Sequence, residues 1–267
     1  MSGNANLIGP GKWANFHGKV SQNLWPAFKA TVERGEFDFQ KYNSNLTVVK
    51  ALQSGFLPQV TDRPVDFGLN IGKITKEELA ALSIWDLKNL YRPFYRNAFG
   101  LYLEFPDELV PEAPDEFGWP VCVPGIISNE TAFQSGKLDL PRWKWTNEPL
   151  DAVMKLDRGR DAWTHSYIVR VRPNWEADED LKIISGDDSE KKNINVMMLR
   201  ERLILGEFLF WLTGEHLDRK TVTLTGSRCS VGCVPSVSFD SDAGKVSVAR
   251  WFPDHSSYHL RSRQAVS

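Results

Sequence analysis

The segment formed by residues 196–213 has the pattern of a long helix with a defined end. Apolar side chains recur through it every three or four positions, and Gly214 follows as a residue suited to close a helix. Three short segments rich in β-branched residues come next, at residues 221–225, 234–239 and 245–250, separated by turns that contain Gly or Asp. A helix followed by short strands predicts an α+β domain whose C-terminal quarter consists of strands and loops.

Two capping-box patterns predict helices earlier in the chain. Thr75 is followed three residues later by Glu78, and Ser83 is followed at the same spacing by Asp86. Pro93 predicts the end of the second helix, because proline lacks the amide hydrogen that a helix interior requires.

Four further segments are assigned from their local pattern. Residues 101–105 and 166–172 have the composition of short strands. The charged runs 155–163 and 186–192 are interpreted as a solvated face and a solvated loop, respectively.

Composition limits the classes of partner. The 267 residues carry a net charge of -2, so no general electrostatic attraction to nucleic acid is expected. The sequence has no apolar run long enough for a membrane span and no basic start followed by an apolar core, so we expect neither membrane insertion nor a signal peptide. A virion component and a cytoplasmic protein both fit these features. With only 3 cysteines, a secreted disulfide framework is not expected.

The common catalytic signatures are missing from the sequence. It contains no Gly-rich phosphate loop, no His-Glu-x-x-His and no Gly-x-Ser-x-Gly. We therefore predict a non-catalytic protein without a cofactor.

One arrangement resembles a metal site. Cys229 and Cys233 are followed by His255 and His259, which gives two close pairs of side chains that can bind zinc. A zinc-binding structural or catalytic protein is therefore one alternative, against the simpler interpretation of two unpaired thiols and two surface imidazoles.

Residues 229–260 have an unusual composition. They include seven serines, two of the chain's cysteines and two of its histidines, but no Glu, Gln, Met, Asn, Thr or Ile. Strand alternation places Val246 and Val248 on one face and Ser247 and Ala249 on the other. Residues of no consistent chemistry are therefore predicted to share an exposed surface.

The sequence here resembles the variable proteins of diversity-generating retroelements, whose C-terminal region is a C-type lectin fold related to formylglycine-generating enzymes. The motifs that carry the resemblance are Leu-Arg-Glu-Arg-Leu at 199–203, Thr-Gly-Glu-His-Leu-Asp at 213–218, Gly-Ser-Arg at 226–228, Gly-x-Val-Pro at 232–235, Trp-x-Pro-Asp at 251–254 and Leu-Arg-Ser-Arg-Gln-Ala-Val-Ser at 260–267. In this family a reverse transcriptase substitutes at template adenines. Asn codons so altered do not give Trp, Met, Gln, Lys or Glu, and within residues 229–260 only Lys245 and Trp251 belong to that set.

The resemblance implies a C-type lectin-like domain over residues 96–267, with a variable region at about 227–263, after an N-terminal region of residues 1–95 for attachment, oligomerisation or extra packing. Phe239 is assigned to the core, and Trp251 is either a core residue or a constant anchor. The implied diversified, ligand-binding positions are Cys229, Val231, Cys233, Ser236, Ser238, Asp240, Ala243, Gly244, Ser247, Ala249, Arg250, Phe252, His255, Ser257, Tyr258 and His259.

The function that follows is recognition of an unknown protein or surface ligand through displayed side chains, in a protein that could form a homo-oligomer. A second alternative is a viral structural protein with a C-terminal assembly interface. In that case substitution of Tyr258 and His259 should break oligomers.

Overall fold

The computed structural model of the protein describes residues 72–138, 140–155, 160 and 165–267. These parts of the chain mix helices and strands, which confirms the predicted α+β class. The helices, in chain order, are α1 (Lys76–Ala80), α2 (Ile84–Phe99), α3 (Asn129–Gln134), α4 (Leu150–Val153), α5 (Gly186–Lys191) and α6 (Leu199–Thr213). The strands are β1 (Trp119–Val123), β2 (Arg142–Lys144), β3 (Tyr167–Val171), β4 (Val222–Leu224), β5 (Val234–Asp240), β6 (Lys245–Trp251), β7 (Leu260–Arg261) and β8 (Ala265–Val266).

The described strands form two sheets. The smaller sheet has the order β1-β3-β8 and is antiparallel. The larger has the order β2-β6-β5-β4-β7, with an antiparallel β5–β6 hairpin at its centre and parallel pairing of β2 with β6 and of β4 with β7. The strands predicted at residues 166–172, 221–225, 234–239 and 245–250 are therefore confirmed.

Both capping boxes form as predicted, and they start α1 and α2. The Thr75 hydroxyl accepts from the Glu78 amide at 3.1 Å, and the Ser83 hydroxyl accepts from the Asp86 amide at 3.2 Å. Each capping residue thus satisfies an amide that lacks a partner within its helix.

The predicted end of α2 at Pro93 is wrong. The helix continues through Pro93 to Phe99 and ends at Gly100, which adopts a left-handed φ of 70°. A proline inside a helix costs about 3 kcal/mol. Tyr91 and Phe94 beside it are fully buried, and the Tyr91 ring stacks on Phe208 of α6 with centroids 3.8 Å apart. Burial of such side chains contributes about 1.5–3 kcal/mol each, and together these contributions offset the free-energy cost of the proline.

Two other local predictions are wrong. Residues 101–105 form no strand, because Leu103 and Phe105 insert into the core while their backbone has no neighbouring strand. The charged run 186–192 is not a loop but contains α5, whose start is fixed by a capping box between Ser185 and Asp188. Short-range capping therefore outweighs the high charge of this segment.

Helix α6 confirms the long helix predicted at residues 196–213 and ends at Gly214, with a φ of 74°. It is buried on nearly all sides, so it passes through the domain rather than lying on its surface. Its charged residues Arg200, Glu201 and Arg202 are also buried. Buried charges of this kind require partners, and the partners come from distant parts of the chain.

One hydrophobic core joins α2, β1, β3, α6, β5 and β6. The domain boundary expected at residue 95 falls within α2, whose side chains belong to this core. Most of the expected N-terminal region, residues 1–71, lies outside the described residues.

The charged run 155–163 is described only in part, and residues 156–159 and 161–164 lie outside the described residues. Arg160 is not on a solvated face, because its guanidinium pairs with the buried Glu201 carboxylate at 2.9 Å. Among the described residues, no helix has the length and apolar character that a membrane crossing requires.

Candidate binding surface

The two faces of the β5–β6 hairpin differ as the sequence alternation predicts. Val237 pairs with Val248, and both side chains are fully buried in the core. Ser238 pairs with Ser247 on the opposite face, where both are half-buried. This second face of the sheet is called the outer face below.

Fourteen of the sixteen predicted ligand-binding residues reach the surface at least in part. Seven are exposed: Val231, Ala243, Gly244, Arg250, Phe252, Tyr258 and His259. Seven are half-buried: Cys233, Ser238, Asp240, Ser247, Ala249, His255 and Ser257. The remaining two, Cys229 and Ser236, are buried, so the expectation that they are displayed on the surface is wrong.

Five of the sixteen predicted residues meet around one groove, together with Trp251. The groove has a volume of about 570 Å³ and lies where the two strands of the hairpin diverge beyond the pair formed by Val234 and Trp251. One wall comes from the chain just before β5 and the other from the end of β6 and the chain that follows it. The predicted residues that line it are Val231, Cys233, Arg250, Trp251, Phe252 and His255, and Gly232 and Pro253 complete the lining.

Other predicted residues lie apart from this groove. Asp240, Ala243 and Gly244 are at the opposite end of the hairpin, in or beside its turn. Tyr258 and His259 lie before β7 and contact each other edge to face at 5.6 Å. The sixteen positions are thus distributed over several parts of the domain rather than forming one compact patch.

Trp251 occupies a fixed position in the groove. Its indole Nε1 donates to the Ser236 hydroxyl at 2.9 Å, and its ring stacks on the His255 ring with centroids 4.7 Å apart. The bond to Trp251 explains why Ser236 is buried, since its hydroxyl lies beneath the indole. Trp251 is therefore neither fully buried in the core nor fully exposed: its ring is half-buried in the wall of the groove.

A disulfide bond joins Cys229 to Cys233, whose Cα atoms are 5.0 Å apart. The Cys229 amide also donates to the Cys233 carbonyl at 2.7 Å. The interpretation of these residues as two unpaired thiols is therefore wrong. The bond closes a short loop that carries Val231 at its tip, 80% exposed, so the disulfide holds one wall of the groove.

The disulfide also removes the basis for the zinc alternative, because bonded sulfurs cannot serve as thiolate ligands. His255 and His259 contact Trp251 and Tyr258, respectively, rather than each other. Within the described ranges of the chain, no three His, Cys, Asp or Glu side chains come close enough together to hold a metal ion.

Arg250 is the cation of the groove. Its guanidinium is exposed and makes no ion pair or hydrogen bond with any described residue. The lining contains no carboxylate. The groove therefore combines an apolar wall with one positive charge that remains available for an outside partner.

A buried acidic residue, Asp218, links the inner side of the larger sheet to other parts of the chain. Asp218 accepts from Arg202 of α6, from Arg263 and from Thr223 of β4. Burial alone would raise the pKa of Asp218, but Arg263 and Arg202 together lower it below its usual range. Its carbonyl accepts from the Phe239 amide at 3.1 Å, which ties this network to β5.

Phe239 is half-buried rather than part of the fully buried core in which the sequence placed it. Its ring stacks on His216 with centroids 3.8 Å apart, and Phe210 stacks on the other side of the same imidazole at 4.2 Å. Burial, followed by the charges of Arg202 and Arg142, lowers the pKa of His216 to about 4.

Trp143 is a surface residue that the sequence reasoning missed. It lies on β2, pairs in register with Ser247 and is 46% exposed. Arg142 and Lys144 on either side of it contact Glu207 and Glu130 within the fold, which directs Trp143 to the outer face. The alternation of basic and aromatic residues at 142–145 was the available signal.

Comparison with known proteins gave no match: no family model, no curated protein and no solved structure resembles this chain at a significant level.

Proposed function

We propose that this protein is a ligand-binding protein whose C-terminal surface is diversified by a retroelement. We further propose that its described domain is a variant of the C-type lectin fold. The observation that carries the proposal is the division of residues 229–260 into buried scaffold side chains and displayed side chains of irregular chemistry.

The scaffold side chains are those that hold the sheet together. Val234, Val237, Val248 and Leu260 are at most 1% exposed. Apart from the buried Pro235 and Ser236, the positions between them reach the surface, and a change at an exposed position usually alters stability by less than about 0.5 kcal/mol. Such a region can vary in sequence without loss of the fold.

The displayed residues are of types that dominate binding energy at protein interfaces. Aromatic and Arg side chains carry most of the affinity in many complexes. Phe252 and Tyr258 are 78% and 64% exposed, and Arg250 lines the groove. Small serines on the outer face provide space for a partner to approach.

The experiment is to sequence the DNA that flanks the gene. We expect a near-copy of the bases that encode residues 227–263, close to a reverse-transcriptase gene, with mismatches at adenines of the copy. A flanking region without such a copy, or mismatches spread evenly over all four bases, would overturn the retroelement proposal.

The same comparison tests the individual positions. Codons for Val231, Arg250 and Phe252 should align with adenine-containing codons of the copy. The codons for Val234 and Val237 should be identical in both. The two buried positions, Cys229 and Ser236, become informative here, because an adenine at either would mean that variation extends below the surface.

A further inference from the structure

The groove at the end of the β5–β6 hairpin has a composition that specifies the chemistry of its partner. Its aromatic and apolar lining comes from Val231, Trp251, Phe252 and Pro253, and its volume of about 570 Å³ is in the range of ordinary ligand pockets. A partner must therefore present a large apolar group to fill it.

The groove lining carries a positive charge and no negative charge. Arg250 lines it without a partner among the described residues, and no Asp or Glu lines it. A guanidinium pairs well with an anion such as a carboxylate, to which it can donate two parallel hydrogen bonds. The complementary group on the partner is an anion beside the apolar group.

The lining favours a polypeptide over a carbohydrate. A sugar presents many hydroxyls that need donors and acceptors, whereas this groove consists mainly of aromatic, apolar and backbone surface. Aromatic residues and Arg are enriched at protein interfaces. The Trp251 ring is already held in place by Ser236 and His255, so little side-chain entropy is lost when a partner binds.

We propose that the groove binds a polypeptide segment in which a large apolar side chain lies next to an Asp or Glu. The apolar side chain enters between Val231 and Trp251, and the carboxylate pairs with Arg250. This inference rests on the proposed function as a ligand-binding protein and adds the chemical class of the ligand.

The test uses three capped dipeptides that differ only in charge: acetyl-Trp-Glu-amide, acetyl-Trp-Gln-amide and acetyl-Trp-Lys-amide. Their dissociation constants are measured on the whole protein by NMR titration of the Trp251 indole N–H. Because an exposed ion pair is weak, we expect the Glu peptide to bind about two- to fivefold more tightly than the Gln peptide, and the Lys peptide to bind most weakly.

A charge reversal makes the test specific. In Arg250→Glu the order of the Glu and Lys peptides should invert. Lys245→Glu is the matched control, because it makes the same charge change on the same strand about 16 Å away and should leave the order unchanged. Unchanged thermal stability in both variants would show that each remains folded.

Equal binding of the three peptides, inversion by Lys245→Glu as well, or shifts that avoid the groove would overturn the proposal. The DNA comparison distinguishes this failure from failure of the proposed function. If the template copy is found but the groove shows no charge preference among the peptides, the surface is diversified and binds another class of ligand. If the groove shows the charge preference but no template copy is found, the groove binds peptides and is not diversified by a retroelement.

Discussion

Polar side chains are placed in opposite ways on the two sides of the larger sheet. Beneath it, Asp218 binds both Arg202 and Arg263 and is fully buried. On the outer face and in the groove, Ser247 and Arg250 make no side-chain hydrogen bond to any described residue. The inner residues cannot change without loss of their hydrogen-bond partners, whereas the displayed residues can be replaced by any side chain that fits the available space. Tolerance to substitution should therefore change sharply across a single sheet.

The largest effect is expected from the buried network. Asp218→Asn removes the carboxylate that both Arg202 and Arg263 contact, and removal of one partner from a buried ion pair typically costs about 3–5 kcal/mol. Urea unfolding followed by circular dichroism measures this change. Asp242→Asn, exposed in the hairpin turn, is the matched control and should change the free energy of unfolding by less than about 0.5 kcal/mol. Equal effects of the two changes would contradict the comparison.

The next effect concerns the disulfide bond. Replacing Cys229 and Cys233 together with Ala removes the constraint on a five-residue loop, for which chain entropy predicts a loss of roughly 2 kcal/mol in the free energy of unfolding. A thiol reductant should destabilise the wild-type protein to a similar extent and leave the double variant unchanged. A reductant that affects both equally would show that the stabilisation has another source.

His216 makes the inner side sensitive to pH. Its pKa is about 4 in the folded protein and 6.5 in the unfolded chain, so the unfolded state binds more protons between these values. Stability should therefore fall as the pH decreases from 6.5 to 4. His216→Phe keeps the stack with Phe210 and Phe239 but cannot be protonated. Its unfolding free energy, measured across this range, should vary less with pH than that of the wild type.

The smallest effect is expected at displayed positions on the outer face and in the groove. Ser247→Ala and Arg250→Ala should each change the free energy of unfolding by less than about 0.5 kcal/mol, because neither side chain bonds to a described residue. Val248, the next residue along β6, is fully buried, and Val248→Ser should be clearly destabilising. Thermal denaturation of the three variants gives this contrast, and similar losses for Ser247→Ala and Val248→Ser would contradict it.

Elements that depend on neighbours in sequence could be predicted well. The boxes at Thr75 and Ser83 and the end of α6 at Gly214 are local, and each forms as expected. The β5–β6 hairpin was also predictable, because alternation assigns its two faces. The continuation of α2 through Pro93 was not predictable from local pattern, because the helix is stabilised by packing of Tyr91 on Phe208, a residue far away in the sequence.

Two predicted surface positions and one missed surface residue show where local pattern is insufficient. Cys229 precedes β5, so no alternation indicates that it is buried and bonded to Cys233. Ser236 has the correct alternation for the outer face but is covered by Trp251, which approaches from β6. Trp143 joins this face through parallel pairing with β6, and the alternation at residues 142–145 does not indicate that distant partner.

The most direct test of the account is a saturation substitution scan of residues 229–260 with resistance to proteolysis as the measure of folding. We expect Val231, Ser238, Ser247, Arg250 and Phe252 to accept most amino acids. The buried scaffold should accept few, at Val234, Val237, Val248 and Leu260. If the displayed positions prove as intolerant as the scaffold, the C-terminal surface cannot be a region built to vary, and the central claim is contradicted.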